Sequence, residues 1–230
     1  AGCEVVINGR DAATLEPVAA AIRAATGAKV VAVTADVATP EGQAALLAAC
    51  PEPDILVNNN AGPPFRDFRE LDRAKMMNGV LANMIVPIEL IQKVIDPMVA
   101  RRFGRIVNIT SGSVKLPLAG LDLSSGARAG LTAFMAGVSR SVAHANVTIN
   151  SLQPGIFDTD RWRGGLELNA KKRNVPYEQV RAESEAAVPA KRVGTPAEFG
   201  HACAFLCSAH AGYITGQGLL IDGGRYPGTM

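Results

Sequence analysis

The sequence predicts an α/β protein in which a doubly wound parallel sheet carries helices on both faces, a three-layer α/β/α arrangement. Three observations lead there. Short apolar strands alternate with amphipathic helical stretches along nearly the whole chain, which is the pattern of a parallel sheet. At 230 residues the chain is long enough for one sizeable core. Its composition, 48% hydrophobic and 19% charged, is that of a globular protein rather than a disordered one.

Taken in order, Val5–Ile7 reads as a strand ending in Asn8-Gly9-Arg10. A helix then begins near Asp11, carries Leu15, Val18 and Ile22 on one face, and stops at Gly27. Val30–Thr34 is the next strand, and Thr39-Pro40 supplies the N-cap and first position of a helix over Glu41–Ala49. Ile55–Val57 is a strand, followed by a Met-rich helical stretch from about Asp72 to Ala100. Arg105–Thr110, a helix from Ser124 to Ala143, and Val147–Leu152 come next. Asp158–Val193 breaks the rhythm, being rich in charge and poor in regular apolar spacing, and is expected to be a mobile flap over a cleft, with a solvated helical excursion as the alternative. Thr195-Pro196-Ala197-Glu198 forms a capping box for a helix through Leu206, and Leu219–Ile221 is the last strand.

A net charge of +2 suggests no nucleic-acid partner, and no apolar run reaches the length of a membrane span. The four cysteines and three histidines are too scattered to propose a metal site; Cys203 and Cys207, one helical turn apart, read as buried thiols. A cytoplasmic protein acting on a small molecule, without membrane or nucleic acid, is the expectation. The apolar face of the Ser124–Ala143 helix, with Leu131, Phe134, Met135 and Val138, is either core or a contact between subunits.

The motifs resemble those of the short-chain dehydrogenase/reductase family over nearly the full length. Asp54-Ile55-Leu56-Val57-Asn58-Asn59-Asn60-Ala61 is similar to the family's cofactor-lining strand end, and Asn83 falls at its helix asparagine. Ser111 follows its strand as the family's catalytic serine does. Val147–Asn150 with Pro154-Gly155 and Thr159, Arg192-x-Gly194-x-Pro196-x-Glu198, and Tyr213–Gln217 through Asp222-Gly223-Gly224 complete the pattern. The resemblance implies a single Rossmann-type domain and an NADP(H)-dependent oxidoreductase for a small carbonyl or alcohol, similar to 3-oxoacyl reductases, in a homodimer or homotetramer. Asp36, Val37, Asn59, Ala61, Pro154, Gly155 and Phe157 are the implied cofactor contacts. Arg10, following a strand that ends without an acid, favours the 2′-phosphate of NADP over NAD.

Two departures stand out. The family's first strand and Gly-rich turn are not found, so an upstream segment of about 30 residues, the size of one β–α unit, is expected. Its strand belongs mid-sheet, and without it the sheet should fall into two halves. Where the family has Tyr-x-x-x-Lys, this chain has Ser124-x-x-x-Arg128. A serine is too weak an acid to replace a phenol, and a guanidinium releases no proton. Arg128 is expected to orient the ribose and Asn83 to hold a relay water. Lys115, on the loop after Ser111, is the leading proton donor if it lies partly desolvated near Arg128; Ser124 through a water and Tyr226 are alternatives. A catalytically silent nucleotide- or partner-binding member, and a non-redox enzyme on the same scaffold, remain open beside the reductase.

Overall fold

The computed structural model describes residues 2–229. Six strands and eight helices alternate: β1 (Val5–Gly9), α1 (Ala12–Thr26), β2 (Val30–Thr34), α2 (Pro40–Ala49), β3 (Ile55–Asn58), α3 (Arg73–Val80), α4 (Val86–Arg101), β4 (Gly104–Ile109), α5 (Asp122–Val142), β5 (Val147–Pro154), α6 (Asp160–Arg173), α7 (Tyr177–Ala186), α8 (Pro196–Cys207) and β6 (Gly218–Ile221). Every strand pair is parallel. Among the described residues the strands form two sheets, β1-β2 and β3-β4-β5-β6, with no ladder between β1 and β3.

Local chemistry sets the helix ends. Asp11 caps α1 by accepting from the Ala13 amide, and Gly27, at φ 67°, closes it in the left-handed region that favours glycine. Thr39 caps α2 with Pro40 in its first turn. At α8 the capping box is complete: the Thr195 hydroxyl accepts from the Glu198 amide, and the Glu198 carboxylate accepts from the Thr195 amide.

The four-stranded sheet is covered on both faces because successive residues of β4 and β5 point to opposite sides. Ile106, Val147 and Ile149 face α4 and α5 and pack with Ile91, Val94, Met98, Leu131 and Met135. Val107, Ile109 and Leu152 face α8 and pack with Leu206, while Cys203 and Cys207 are half-buried and free beside them. The two sheets are joined through α2. Leu47 packs on the first core, and Gln43, 2% exposed, donates to the Val37 carbonyl and to Glu89 of α4.

Three expectations need correction. The 158–193 segment takes the helical alternative: it forms α6 and α7, which enclose a small core of Leu166, Ala170 and Val180 with Trp162 and Tyr177 against it. Ion pairs from Arg173 to Glu183 and Arg181 to Glu185 explain how so charged a stretch stays helical. In α1 the buried row is Leu15 and Ala19, while Val18 is 52% exposed, because the helix covers a sheet of only two strands. Finally, the continuous helix Arg73–Arg101 is long and apolar enough to cross a membrane by length and composition. Its Val86, Leu90, Ile91, Val94 and Met98 are buried in the protein, so one face serves the core.

Met98 is fully buried and pressed against Gly104. Met98→Ala should lower stability by about 2–5 kcal/mol, read as a lower urea midpoint at unchanged slope. Arg192, together with Thr195, holds the Glu198 carboxyl at about 2, below its ordinary value of 4.5. A depressed carboxylate stabilises the fold above the ordinary value, and that stabilisation is lost as pH falls toward 2. Melting curves of wild type and Glu198→Gln should therefore converge between about pH 4.5 and 2 and separate above it.

Candidate active site

The strands of the larger sheet end at one edge, and the candidate residues lie on the loops that follow them. β4 ends at Ile109, and a 3-10 turn over Gly112–Val114 follows. Ser111 is its N-cap, accepting from the Ser113 amide at 3.1 Å, and Lys115 is its C-cap. One short turn thus carries both the serine and the lysine. The turn sits close against β5, since a β-carbon on Gly112 would lie 3.1 Å from the Pro154 carbonyl. The Lys115 ammonium lies 5.9 Å from the Tyr226 ring centroid. Tyr226 is brought there because Asp222 accepts from the Gly224 and Tyr226 amides, folding the C-terminal tail back.

Arg128 sits behind this loop on α5 and is only 8% exposed. Its Nη1 donates to the carbonyls of Ile109 at 2.6 Å and Thr110 at 3.0 Å, its Nη2 to Asn60 at 3.0 Å, and its Nε to Ser124 Oγ at 3.3 Å. The guanidinium therefore ties the ends of β3 and β4 to α5. Burial first, and the nearby Arg161 second, lower its pKa to about 10. Arg161, on α6, is thus a cation close to Arg128. Ser124, one turn earlier, is 6% exposed and covered by Gly62, whose absent β-carbon would lie 3.5 Å from its Oγ.

Asn83 lies in a π-helical segment, Leu81–Ile85, between α3 and α4. Such segments insert an extra residue into a helix and recur at functional sites. Asn83 Nδ2 donates to the Gly79 carbonyl at 3.2 Å and Ala61 at 3.4 Å, while its Oδ1, buried in a residue 3% exposed, has no hydrogen-bond partner among the described residues. It borders a cavity of about 300 Å3 lined also by Gly62, Arg66, Lys75 and Leu123. The adjoining Asn60 donates to the Ala82 carbonyl at 2.7 Å, holding the loop after β3 onto this segment.

The remaining residues lie along the same edge. Arg10 is exposed after β1, with no ion pair among the described residues. Asp36 and Val37 follow β2 in a fixed turn, with the Asp36 carboxylate accepting from the Ala38 amide. The Asp36 carbonyl packs so closely on α2 that a β-carbon at Gly42 would lie 1.9 Å away. Asn59 is exposed after β3, and Ala61 follows. Pro154 ends β5, and Gly155 donates to the Ile221 carbonyl at 2.8 Å. The Phe157 ring packs against Gly194 and edge-on to Phe199 at 5.4 Å. The sequence reading did not find Arg161, nor the π segment around Asn83.

Comparisons with known proteins give this geometry a family. The family model described as enoyl-(acyl carrier protein) reductase matches residues 1–225. The chain belongs to the short-chain dehydrogenase/reductase family. This short-chain dehydrogenase/reductase is 30% identical over 225 residues to the NADPH-dependent reductase BacG of Bacillus subtilis, spanning 96% of this chain and 87% of that protein. It is 32% identical over 195 residues to the 3-oxoacyl-[acyl-carrier-protein] reductase FabG of Vibrio cholerae, covering 83% of this chain and 75% of the other. Among solved structures it superposes on L-sorbose reductase from Gluconobacter frateurii, complexed with NADPH and L-sorbose, with a TM-score of 0.91 at 26% identity over 98% of this chain and 88% of that one. The fold is accordingly a Rossmann-type α/β fold, with its strands and helices in the family's arrangement.

A lysine at position 128 keeps the charge but has no planar fork with which to reach several carbonyls. Arg128→Lys should destabilise the protein by about 1–3 kcal/mol, the usual cost of leaving a buried polar group unpaired. Chemical denaturation at neutral pH measures it, and an unchanged midpoint would mean that the fork does not hold the strand ends.

Proposed function

We propose that this short-chain dehydrogenase/reductase is an NADP(H)-dependent oxidoreductase of small carbonyl or alcohol substrates, of the 3-oxoacyl reductase type. The observation that carries the reading is the single turn after β4 that presents Ser111 and Lys115 together. The relatives named as NADPH-dependent and 3-oxoacyl-[acyl-carrier-protein] reductases, and the neighbour complexed with NADPH, support it.

The residues present fit the two ends of a dinucleotide. Arg10 stands free to pair with a 2′-phosphate next to the fixed Asp36–Val37 turn, and the Pro154-Gly155 turn is pinned by Ile221 at the nicotinamide end. Asn59 and Ala61 lie between. The described residues hold no Gly-rich helix start for the pyrophosphate, and β1 and β3 share no neighbour. We propose that one further β–α unit, pairing with both, completes a single domain.

The cofactor supplies hydride when bound. Ser111 Oγ donates a hydrogen bond to the substrate oxygen, polarising the carbonyl. Lys115 transfers a proton to that oxygen. Asn83, with its unsatisfied Oδ1, accepts from a water beside the cleft and keeps it in place. Arg128 fixes the strand ends and Ser124 fixes Arg128, which makes Ser124 a positioning residue. The α6–α7 pair covers the cleft as a substrate flap.

The subunits associate through an apolar face of α3, the π segment and α5, on which Met77, 64% exposed, Ile85 and Phe134 are exposed; the protein is a cytoplasmic homo-oligomer. On α5, Leu131 and Met135 belong to the core and Phe134 to this face.

Lys115→Met should reduce kcat by about 100- to 10,000-fold, the usual contribution of a positioned acid. Ser111→Ala should cost about 100-fold or more. Loss of NADPH absorbance at 340 nm with a panel of short-chain oxo acids and ketones measures both, and full turnover in both variants would remove the assignment.

A further inference from the structure

Two guanidinium groups meet beside Ser124, and among the described residues no acid pairs with either. A β-carbon on Gly62 would lie 3.4 Å from Arg128 Nη2, 3.5 Å from Ser124 Oγ and 3.8 Å from Arg161 Nη1. Three polar groups from α5 and α6 therefore surround the bare backbone of Gly62. Arg161 is exposed, and among the described residues its side chain makes no hydrogen bond or ion pair.

The two acids nearest to it in sequence are turned elsewhere. Asp158 pairs with Arg163 at 2.8 Å and Asp160 with the same Arg163 at 3.2 Å. Arg128 has no acid either. Four of the five N–H groups of its guanidinium are taken by Ile109, Thr110, Asn60 and Ser124, which leaves one on Nη2, the nitrogen facing Gly62. Like charges held this close to a buried arginine raise the energy of the protein until an anion arrives. The shift in Arg128 that Arg161 contributes to reports the same repulsion.

We infer that Arg161, with the free N–H of Arg128, binds the carboxylate of an anionic substrate, making this site selective for oxo acids over neutral ketones. The inference rests on the reductase reading and names its substrate class. Where the family has a bulky phenol this chain has the small Ser124, and Gly62 brings no side chain against it, so the substrate's anionic end meets Arg161 and the Arg128 N–H beside the Gly62 backbone. The ribose expected near Arg128 is neutral and leaves both charges unanswered. Arg161 sits on α6, the flap helix, so substrate charge and flap position are coupled.

The test separates binding from turnover. Oxamate and its neutral counterpart oxamide are titrated into the full chain without cofactor, observed by ligand NMR. Oxamate should bind and oxamide should not; Arg161→Gln should weaken oxamate at least tenfold, Arg161→Lys should restore much of the loss, and added salt should weaken binding in wild type. Equal behaviour of the two probes, or an unchanged Arg161→Gln, overturns the inference. NADPH titration of the same variants identifies the other source of anionic oxygen: a tenfold loss for NADPH with oxamate unaffected assigns Arg161 to the cofactor's phosphates and overturns the substrate assignment. Turnover of 2-oxobutanoate against 2-butanone then tests the reductase reading separately. Reduction of both at equal kcat/KM overturns the selectivity alone, whereas reduction of neither, with oxamate binding intact, overturns the reductase reading and leaves the anion site standing.

Discussion

The buried guanidinium of Arg128 is the joint on which the candidate site depends. It reaches three backbone carbonyls at the ends of two strands and one hydroxyl on its own helix, all without a carboxylate partner. A buried positive charge is costly unless hydrogen bonds replace the water it has lost. Here carbonyl dipoles do this, and in return the cation fixes the loop after β3 and the start of the turn that bears Ser111 and Lys115. Remove the planar fork and these three carbonyls lose the cation that ties them to α5.

That arrangement separates the work of the family's Tyr-x-x-x-Lys pair. With Ser124 buried and holding Arg128, the tail brings the Tyr226 ring to 5.9 Å from the Lys115 ammonium on the loop after β4. A second cation, Arg161 of α6, stands near Arg128 where the family has an aromatic acid on α5. Charge that the family places at one helix turn is here divided among the loop of Lys115, α5 and α6. The division of the sheet has a parallel effect on the cofactor edge, where Arg10 and the Asp36–Val37 turn belong to a β1-β2 unit joined to the rest through α2 and the Gln43 bridge.

Much of this was legible where the physics is local. Asp11 with Gly27, Thr39 with Pro40, and Thr195 with Glu198 specify helix ends through hydrogen bonds that span only a few residues, and each appears as read. The C-terminal motif also has local causes: Arg192 forks onto Glu198, and Gly194 leaves room for the Phe157 ring. The helices of 158–193 stood only as the lesser alternative because their stability comes from ion pairs and a very small core, which an apolar period does not register. Their end signals were nonetheless present, with Thr159 as N-cap, a basic last turn over Lys171–Arg173, and Asn174 in the left-handed region. Arg161 was invisible for a different reason, since what it meets depends on how α6 is set against α5. The π segment around Asn83 shifts a hydrogen-bond register and leaves no mark on composition.

The central claim, that Arg128 stays charged and locked between strand ends, is tested most directly by side-chain NMR of arginine-labelled protein. A fork held by four acceptors should rotate slowly about its Nε–Cζ bond and shield its protons from water. Separate, slowly exchanging Nη resonances for Arg128 at neutral pH are the expected result. A single averaged, rapidly exchanging signal like that of an exposed arginine would contradict the account.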